Sequence, residues 1–101
     1  MIPVKKLNTP VGPMKVTQTD KNLEYSGGAV HGLCLIGTDF DIKLRKGLNE
    51  FLEKQTFMHE MLHTIEIMNG LEFEEYEIDT LATGLIFLMR NNPKVVEWIQ
   101  K

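Results

Sequence analysis

The chain has 101 residues, which is long enough for one domain with a modest core and too short for a separate substrate-binding domain. Its hydrophobic share of 43% and charged share of 25% are typical of a soluble globular protein. A net charge of -3, without a dense lysine cluster, argues against a nucleic-acid partner. The start lacks a signal-peptide pattern, and the longest apolar run, 85–89, is too short for a membrane span. We therefore expect a cytoplasmic protein, and the single cysteine, Cys34, fits a reducing compartment as a small core residue.

The first half of the chain predicts a small sheet. Residues 1–13 hold three of the four prolines and predict an irregular N-terminal arm. Strands are predicted over 14–19, 29–36 and 40–45, where β-branched or alternating apolar residues are separated by polar and glycine-containing turns. Because the turns are short, we expect an antiparallel three-stranded meander.

The second half predicts helices. One runs from about Asn49 to Met68 before a stop at Asn69-Gly70, a second from about Phe73 to Asn91, and a short third helix follows Pro93. The side chains expected to face the core are Phe51, Met58, Leu62 and Ile65 with Phe57, Met61 and Met68 beside them, then Ile78, Leu81, Ala82, Leu85, Leu88 and Met89, and finally Val95, Trp98 and Ile99. The predicted fold is a single α+β domain in which a small sheet packs on a helical hairpin.

The first predicted helix carries the motif His59-Glu60-x-x-His63. Four residues make slightly more than one helical turn, so both imidazoles project from one face and can share an ion. Glu60 lies about 100° further round the helix, where its carboxylate can take a proton from a water on that ion. The motif predicts a Zn²⁺ site with Glu60 as the general base. The competing interpretation is an ordinary buried helix whose two histidines hydrogen-bond to their neighbours.

Two other metal sites that share part of this motif do not fit. A metzincin would have glycine three residues and histidine six residues beyond His63, where this chain has glutamate and asparagine. A di-iron bundle needs two ExxH pairs, and Glu60 to His63 is the only such pair in the chain. Because His31 is the only other histidine and Cys34 the only thiol, we expect the third protein ligand to be a carboxylate.

Two carboxylates at the start of the second predicted helix can complete this site. Glu75 and Asp79 are four residues apart and share a face just outside the apolar arc. We assign Glu75 as the third ligand and Asp79 as the outer carboxylate that accepts the second N–H of a ligating imidazole. A loop as short as 69–72 would instead place the histidines opposite Asp79, so Asp79 and Glu66 stay open as alternative ligands. Glu66 is otherwise expected to be a surface charge.

These residues resemble a known family. HExxH followed by Glu75-x-x-x-Asp79 is similar to the gluzincin arrangement, which implies that Glu75 completes a zinc site and Asp79 supports a histidine. More closely, the segment 75–82 resembles the helix that follows HExxH in ImmA/IrrE-like metallopeptidases, although Asp79 stands where those commonly carry asparagine. Thr56 before the motif and the ending Asn92-Pro93-x-x-Val96-x-Trp98-Ile99 also resemble small phage-encoded members. The resemblance covers roughly residues 30–101, with a shorter interval from His63 to Glu75 than is usual.

Two functions follow as hypotheses. The first is a zinc-dependent peptidase in which Glu60 accepts a proton from the attacking water and returns it to the leaving amine. By resemblance, an extended peptide substrate would pair with Phe40–Arg45 as an edge strand. Tyr76 and His31 are capable of hydrogen-bonding an oxyanion, but no sequence pattern assigns them that role. The second hypothesis is a non-catalytic interaction module of a phage or mobile element, built on a peptidase-like fold.

Overall fold

A computed structural model describes residues 2–37 and 39–101. Within these residues the chain is α+β, as predicted, with six strands followed by three helices. The strands are β1 (Lys6–Thr9), β2 (Gly12–Thr19), β3 (Leu23–Tyr25), β4 (Gly28–Val30), β5 (Gly32–Ile36) and β6 (Phe40–Arg45). The helices are α1 (Glu50–Met68), α2 (Glu75–Asn91) and α3 (Pro93–Ile99). None of these helices is both long and apolar enough to cross a membrane.

The main sheet consists of two antiparallel hairpins, β1–β2 and β5–β6, placed side by side in the order β1-β2-β6-β5. Their second strands meet in the middle and run parallel, with Val16 opposite Ile42. The prediction of a three-stranded antiparallel meander was therefore wrong. Alternation in β2 and β6 identifies strands with one buried face, but it does not say which strands are neighbours.

The N-terminal arm is not irregular, because β1 pairs with β2 along its whole length. The prolines that suggested an arm occupy positions that a hairpin tolerates. Pro10 lies between the two strands, and Pro13 is the second residue of β2. Met1 lies outside the described residues.

The apolar segment predicted as one strand over 29–36 forms two. β4 pairs with β3 in a separate two-stranded sheet, whereas β5 pairs with β6, and His31 lies between them. β5 is the last strand of the main sheet, so one of its edges is free. This edge borders the site described below.

The core between the sheet and α1 is built from five buried side chains: Met14, Val16, Ile42, Leu44 and Phe57. The predicted apolar stripe of α1 was wrong at two positions, because Phe51 and Ile65 are about half exposed. The buried residues of α1 are Thr56, Phe57, Glu60, Thr64 and Glu66. Hydrophobic periodicity indicated the wrong face because most of the buried residues of α1 are polar.

The second helix packs along α1 and buries Ile78, Ala82 and Ile86. Several other apolar residues predicted to face the core are exposed, namely Leu81, Leu88 and Met89 in α2 and Val95, Trp98 and Ile99 in α3. The physical reason is that α2 and α3 carry more apolar surface than the neighbouring helices of one chain cover. No residue of α3 is buried.

Candidate metal centre

The two histidines of the motif lie one turn apart on α1 and bring their rings together. Their Nε2 atoms are 3.0 Å apart, and the rings meet edge to face with centroids separated by 4.7 Å. Both side chains are largely buried, with 13% and 17% of their surface exposed for His59 and His63. The predicted common face is therefore present.

Glu75 is the carboxylate that reaches both rings. One of its oxygens lies 3.0 Å from Nε2 of His59 and the other 3.1 Å from Nε2 of His63. Among the described residues, His59, His63 and Glu75 are the group whose ligand atoms lie close enough to share an ion, all within 4.8 Å of one another.

The position of Glu75 depends on how α1 ends and α2 begins. Gly70 takes the left-handed backbone conformation, with φ of 64°, immediately after α1. The following loop is longer than predicted, because α2 starts at Glu75, with Glu74 as its N-cap and a reciprocal capping box to Glu77. The longer loop places Glu75 level with the two histidines, whereas the shorter loop would have placed Asp79 there.

Each imidazole binds a carboxylate through its other nitrogen. Nδ1 of His59 lies 2.6 Å from Asp79, as assigned from the sequence, and Gln55 donates to the same oxygen of Asp79 at 3.2 Å. Nδ1 of His63 lies 2.8 Å from Glu66. Glu66 is only 8% exposed, and its second oxygen accepts the backbone N–H of Phe73. Glu66 is thus neither a surface charge nor placed as a metal ligand; it supports His63 as Asp79 supports His59.

The hydrogen bond to Glu66 assigns the proton on His63. The bond from His63, followed by the one from Phe73, holds the pKa of Glu66 below its ordinary value, so Glu66 is an ionised acceptor. Because an ionised carboxylate only accepts, the proton in this bond belongs to Nδ1 of His63. A neutral ring with its proton on Nδ1 has a bare lone pair on Nε2.

With both rings neutral and their protons on Nδ1, the inner atoms of the cluster would be acceptors only. Two Nε2 lone pairs and two oxygens of Glu75 face one another at 3.0 to 3.1 Å. Acceptors in such contact repel unless positive charge lies between them, supplied either by a metal ion or by an extra proton on the rings. The spacing suits a metal, because ligand atoms bound tetrahedrally to Zn²⁺ are separated by roughly 3.3 Å. The donor set of two imidazoles and one carboxylate also fits zinc.

Glu60 lies beside this cluster but belongs to the buried face of α1. Its side chain is 5% exposed, and this loss of water raises its pKa to about 6, against a smaller lowering by His59 and His63. A carboxyl group with such a pKa can exchange a proton near neutral pH. Glu60 thus lines the same cleft as the cluster and has the raised pKa that a general base would need.

Gly32, in β5, makes room for this glutamate. A Cβ atom at residue 32 would lie 2.9 Å from Thr56, 3.0 Å from Leu44 and 3.2 Å from the Cγ of Glu60. Any larger residue would push into the helix at the motif. The sequence offered no signal for this role, because one glycine in an apolar strand is equally consistent with a bulge.

A cleft of about 650 Å³ opens onto the cluster. Its walls come from β3, β4, β5, α1, the loop before α2 and the start of α2. They include Tyr25, His31, Leu33, Ile67 and Phe73 beside the motif residues. The edge strand at this cleft is β5, since β6 lies inside the sheet between β2 and β5. The prediction that Phe40–Arg45 forms the edge strand was wrong for this reason.

Three other residues singled out in the sequence lie in different surroundings. His31 lines the cleft, whereas Tyr76 is 71% exposed and is not among the residues that line it. Cys34 is partly buried, lines the cleft, and has its Sγ 3.4 Å from the hydroxyl of Thr64. Burial raises the pKa of this thiol, so Cys34 is a protonated thiol at neutral pH.

Comparisons with protein families, with curated proteins and with solved structures found no significant match to this chain. Functional reasoning therefore depends on the geometry of the site.

Proposed function

We propose that this protein is a zinc-dependent metallopeptidase with a gluzincin-like site on a zincin-like domain. The observation that carries the proposal is the cluster of four acceptor atoms from His59, His63 and Glu75, with the outer ring nitrogens paired with Asp79 and Glu66. With neutral rings, a cluster of this composition is stabilised by a cation at its centre, whereas protonated rings would form ion pairs with Glu75 instead. The similarity of the motifs to ImmA/IrrE-like metallopeptidases supports the same function, and the proposed location is the cytoplasm.

The proposed roles of the residues follow from where they lie. His59, His63 and Glu75 would hold a Zn²⁺ ion, whose Lewis acidity would activate water and polarise the scissile carbonyl. The outer carboxylates would keep both rings in the tautomer that binds metal. Glu60 takes the proton of the attacking water and delivers it to the leaving amine.

The free edge of β5 is the proposed binding surface for an extended peptide substrate. The backbone N–H of Arg45 donates to the carbonyl of His31 at 2.8 Å. Because hydrogen-bonded residues alternate along an antiparallel pair, the backbone N–H and C=O groups of residues 33 and 35 also point toward β6. The N–H and C=O groups of Gly32, Cys34 and Ile36 then point away from the sheet. They are available for main-chain hydrogen bonds to a substrate lying in the cleft.

A non-catalytic interaction module is the second candidate, and one observation favours it. The exposed apolar side chains of α2 and α3 form more surface than an isolated small domain normally leaves uncovered. This surface is separate from the cleft, so the two functions are compatible. Hydrolysis by the zinc-loaded protein decides whether the peptidase function exists.

The test uses the protein loaded with one equivalent of zinc and a library of unstructured peptides, with cleavage read by mass spectrometry. We expect the parent to cleave peptides, and Glu60→Gln to bind zinc as the parent does while cleaving at least about 1,000-fold more slowly. Glu72→Gln, an exposed change in the loop before α2, is the matched control and should retain full activity. Equal cleavage by Glu60→Gln and the parent would overturn the assignment of the base. Stoichiometric zinc without any cleavage would favour the interaction module.

A further inference from the structure

One flank of α2 carries apolar side chains that the described residues leave largely uncovered. Leu81, Gly84, Leu85 and Leu88 recur at helical spacing and form a stripe along the middle of the helix. Leu81 and Leu88 are 44% and 56% exposed, and Leu85 is only partly buried. The stripe lies about 110° around the helix from the buried residues Ile78, Ala82 and Ile86.

Gly84, at the centre of this stripe, leaves open space. A Cβ atom built there would meet no heavy atom within 4 Å. Glycine in the middle of a helix lowers stability by roughly 0.5 to 1 kcal/mol relative to alanine. A second helix crossing at this point could approach closely, because no side chain holds the two backbones apart.

The short helix α3 adds further exposed apolar surface. A seven-residue helix is not stable in water by itself, and α3 buries none of its residues. Its apolar face consists of Val95, Trp98 and Ile99, spaced three and four residues apart, and Trp98 is 73% exposed. An apolar face of this kind is expected to be covered.

We propose that a second copy of this chain covers these surfaces, in a two-fold symmetric dimer that pairs α2 antiparallel with its equivalent around Gly84 and Leu85. Leu81 of one protomer then packs on Leu88 of the other, and the reverse contact follows from symmetry. Each α3 is directed toward Leu71 and Phe73 of the opposite protomer, which are also exposed, so the dimer meets the rim of the cleft at Phe73.

Charge complementarity supports the antiparallel orientation. The segment before and at the start of α2 is acidic, with Glu72 and Glu74 exposed. The end of α2 and the segment after it carry a net positive charge, with exposed Arg90 and Lys94, whereas Lys101 pairs with Glu97 at 3.9 Å. Antiparallel pairing brings the acidic start of one α2 to the basic end of the other, whereas parallel pairing would bring like charges together.

The available area also suits a dimer. Leu71, Phe73, Leu81, Leu88, Val95, Trp98 and Ile99 are between 39% and 73% exposed, and their exposed parts together present roughly 700 Å² of apolar surface. A standard protein interface buries about 800 Å² on each partner. A second copy therefore matches the size of the uncovered surface.

Sedimentation equilibrium on the intact chain at about 50 µM tests the proposal. We expect the parent to sediment at twice the chain mass of 11.6 kDa. The substitution Leu88→Glu should raise the dissociation constant by about 100-fold or more, because two charges are placed in the apolar centre of a symmetric interface. Phe87→Glu is the matched control, since Phe87 is exposed on the other flank of α2 and should leave the dimer intact.

Cysteine cross-linking tests the register independently. In a Cys34→Ser background, Gly84→Cys should oxidise to a covalent dimer, because the symmetry axis brings the two copies of residue 84 together. Thr83→Cys, which points to the other flank, should not. A parent that remains a monomer overturns the proposal and leaves the surface to another partner. A dimer that resists Leu88→Glu and does not cross-link at residue 84 also overturns it, because it forms through another face.

Discussion

Glu60 is a carboxyl group that the fold removes almost completely from water, and its environment has two opposing consequences. Burial raises its pKa from an ordinary 4.5 to about 6, which suits a base but makes the ionised form costly in the folded chain. A raised folded pKa contributes stability below the unfolded value of 4.5, and this contribution is lost as the pH rises through about 6. The proposed base should therefore destabilise the metal-free protein at neutral pH.

The prediction is that Glu60→Gln stabilises the metal-free protein at about pH 8 and has little effect at about pH 3.5, below the unfolded pKa of this carboxyl group. The gain at the higher pH should be about 2 kcal/mol, because a shift of one pKa unit corresponds to about 1.4 kcal/mol. Urea unfolding in a chelating buffer measures the free energy of unfolding of both proteins at each pH. An equal effect of the substitution at both pH values would show that Glu60 is not desolvated in the folded state.

The outer carboxylates give a second prediction at this scale. Asp79→Asn or Glu66→Gln removes the charge that orients one imidazole, so zinc affinity should fall by about 10 to 100-fold in each case. A competition titration against a zinc-binding dye measures the change, with Glu72→Gln as the control of equal charge. If Glu66→Gln binds zinc as tightly as the control does, Glu66 has no role in supporting His63.

Among the elements, β5 and α1 form two walls of the proposed active site, and they pack closely at Gly32. The substitution Gly32→Ala should lower the free energy of unfolding by about 1 to 3 kcal/mol, because the added methyl group overlaps Thr56, Leu44 and Glu60. It should also reduce peptide cleavage, since the displaced side chain of Glu60 is the proposed base.

Gly28→Ala provides the control for this prediction. A Cβ atom at residue 28 would meet only the backbone oxygen of Tyr25, at an ordinary contact distance of 3.8 Å. Thermal unfolding and the peptide-cleavage assay should therefore show little change. A Gly32→Ala variant as stable and active as the Gly28→Ala variant would mean that close packing at residue 32 has no importance.

The bounds of several elements could be predicted because their signals are local. The alternation of Phe40–Arg45, the cap at Asn49, the stop after Met68 and the break at Pro93 each depend on adjacent residues, and the structure confirms all four. The side chain of Asn49 accepts the N–H of Leu52 at 2.8 Å, as expected of a helix cap.

Sheet topology and the site's outer residues could not be predicted in the same way. The parallel pairing of β2 with β6 joins residues that are 26 positions apart, and no local pattern specifies it. The role of Glu66 as the partner of His63 was not predicted, because a spacing of three residues from His63 is equally usual for a surface acid. The close packing at Gly32 was not predicted, because the residues that it contacts lie in α1 and β6. The residues that could be predicted at the site are those whose relative positions follow from their spacing along one helix. They are the motif residues on α1, His59, Glu60 and His63, and the pair Glu75 and Asp79 on α2.

For the whole molecule, the metal should contribute to stability as well as to chemistry. The ligands come from α1 and α2, so zinc at about 1,000 times its dissociation constant should stabilise the fold by about 4 kcal/mol. Differential scanning calorimetry with zinc and with excess chelator measures the effect. Glu75→Gln should lose most of it, because that substitution weakens the only ligand contributed by α2. No difference between the two conditions would contradict a shared site.

The most direct measurement is zinc K-edge X-ray absorption of the protein loaded with one equivalent of zinc. The account predicts two imidazole nitrogens at about 2.0 to 2.1 Å and oxygen ligands from one carboxylate and solvent, without sulfur. Spectra of Glu75→Gln should lose or alter the carboxylate contribution while retaining both imidazoles. Failure to bind one equivalent, a single imidazole, or a sulfur ligand at about 2.3 Å would contradict a site formed by His59, His63 and Glu75.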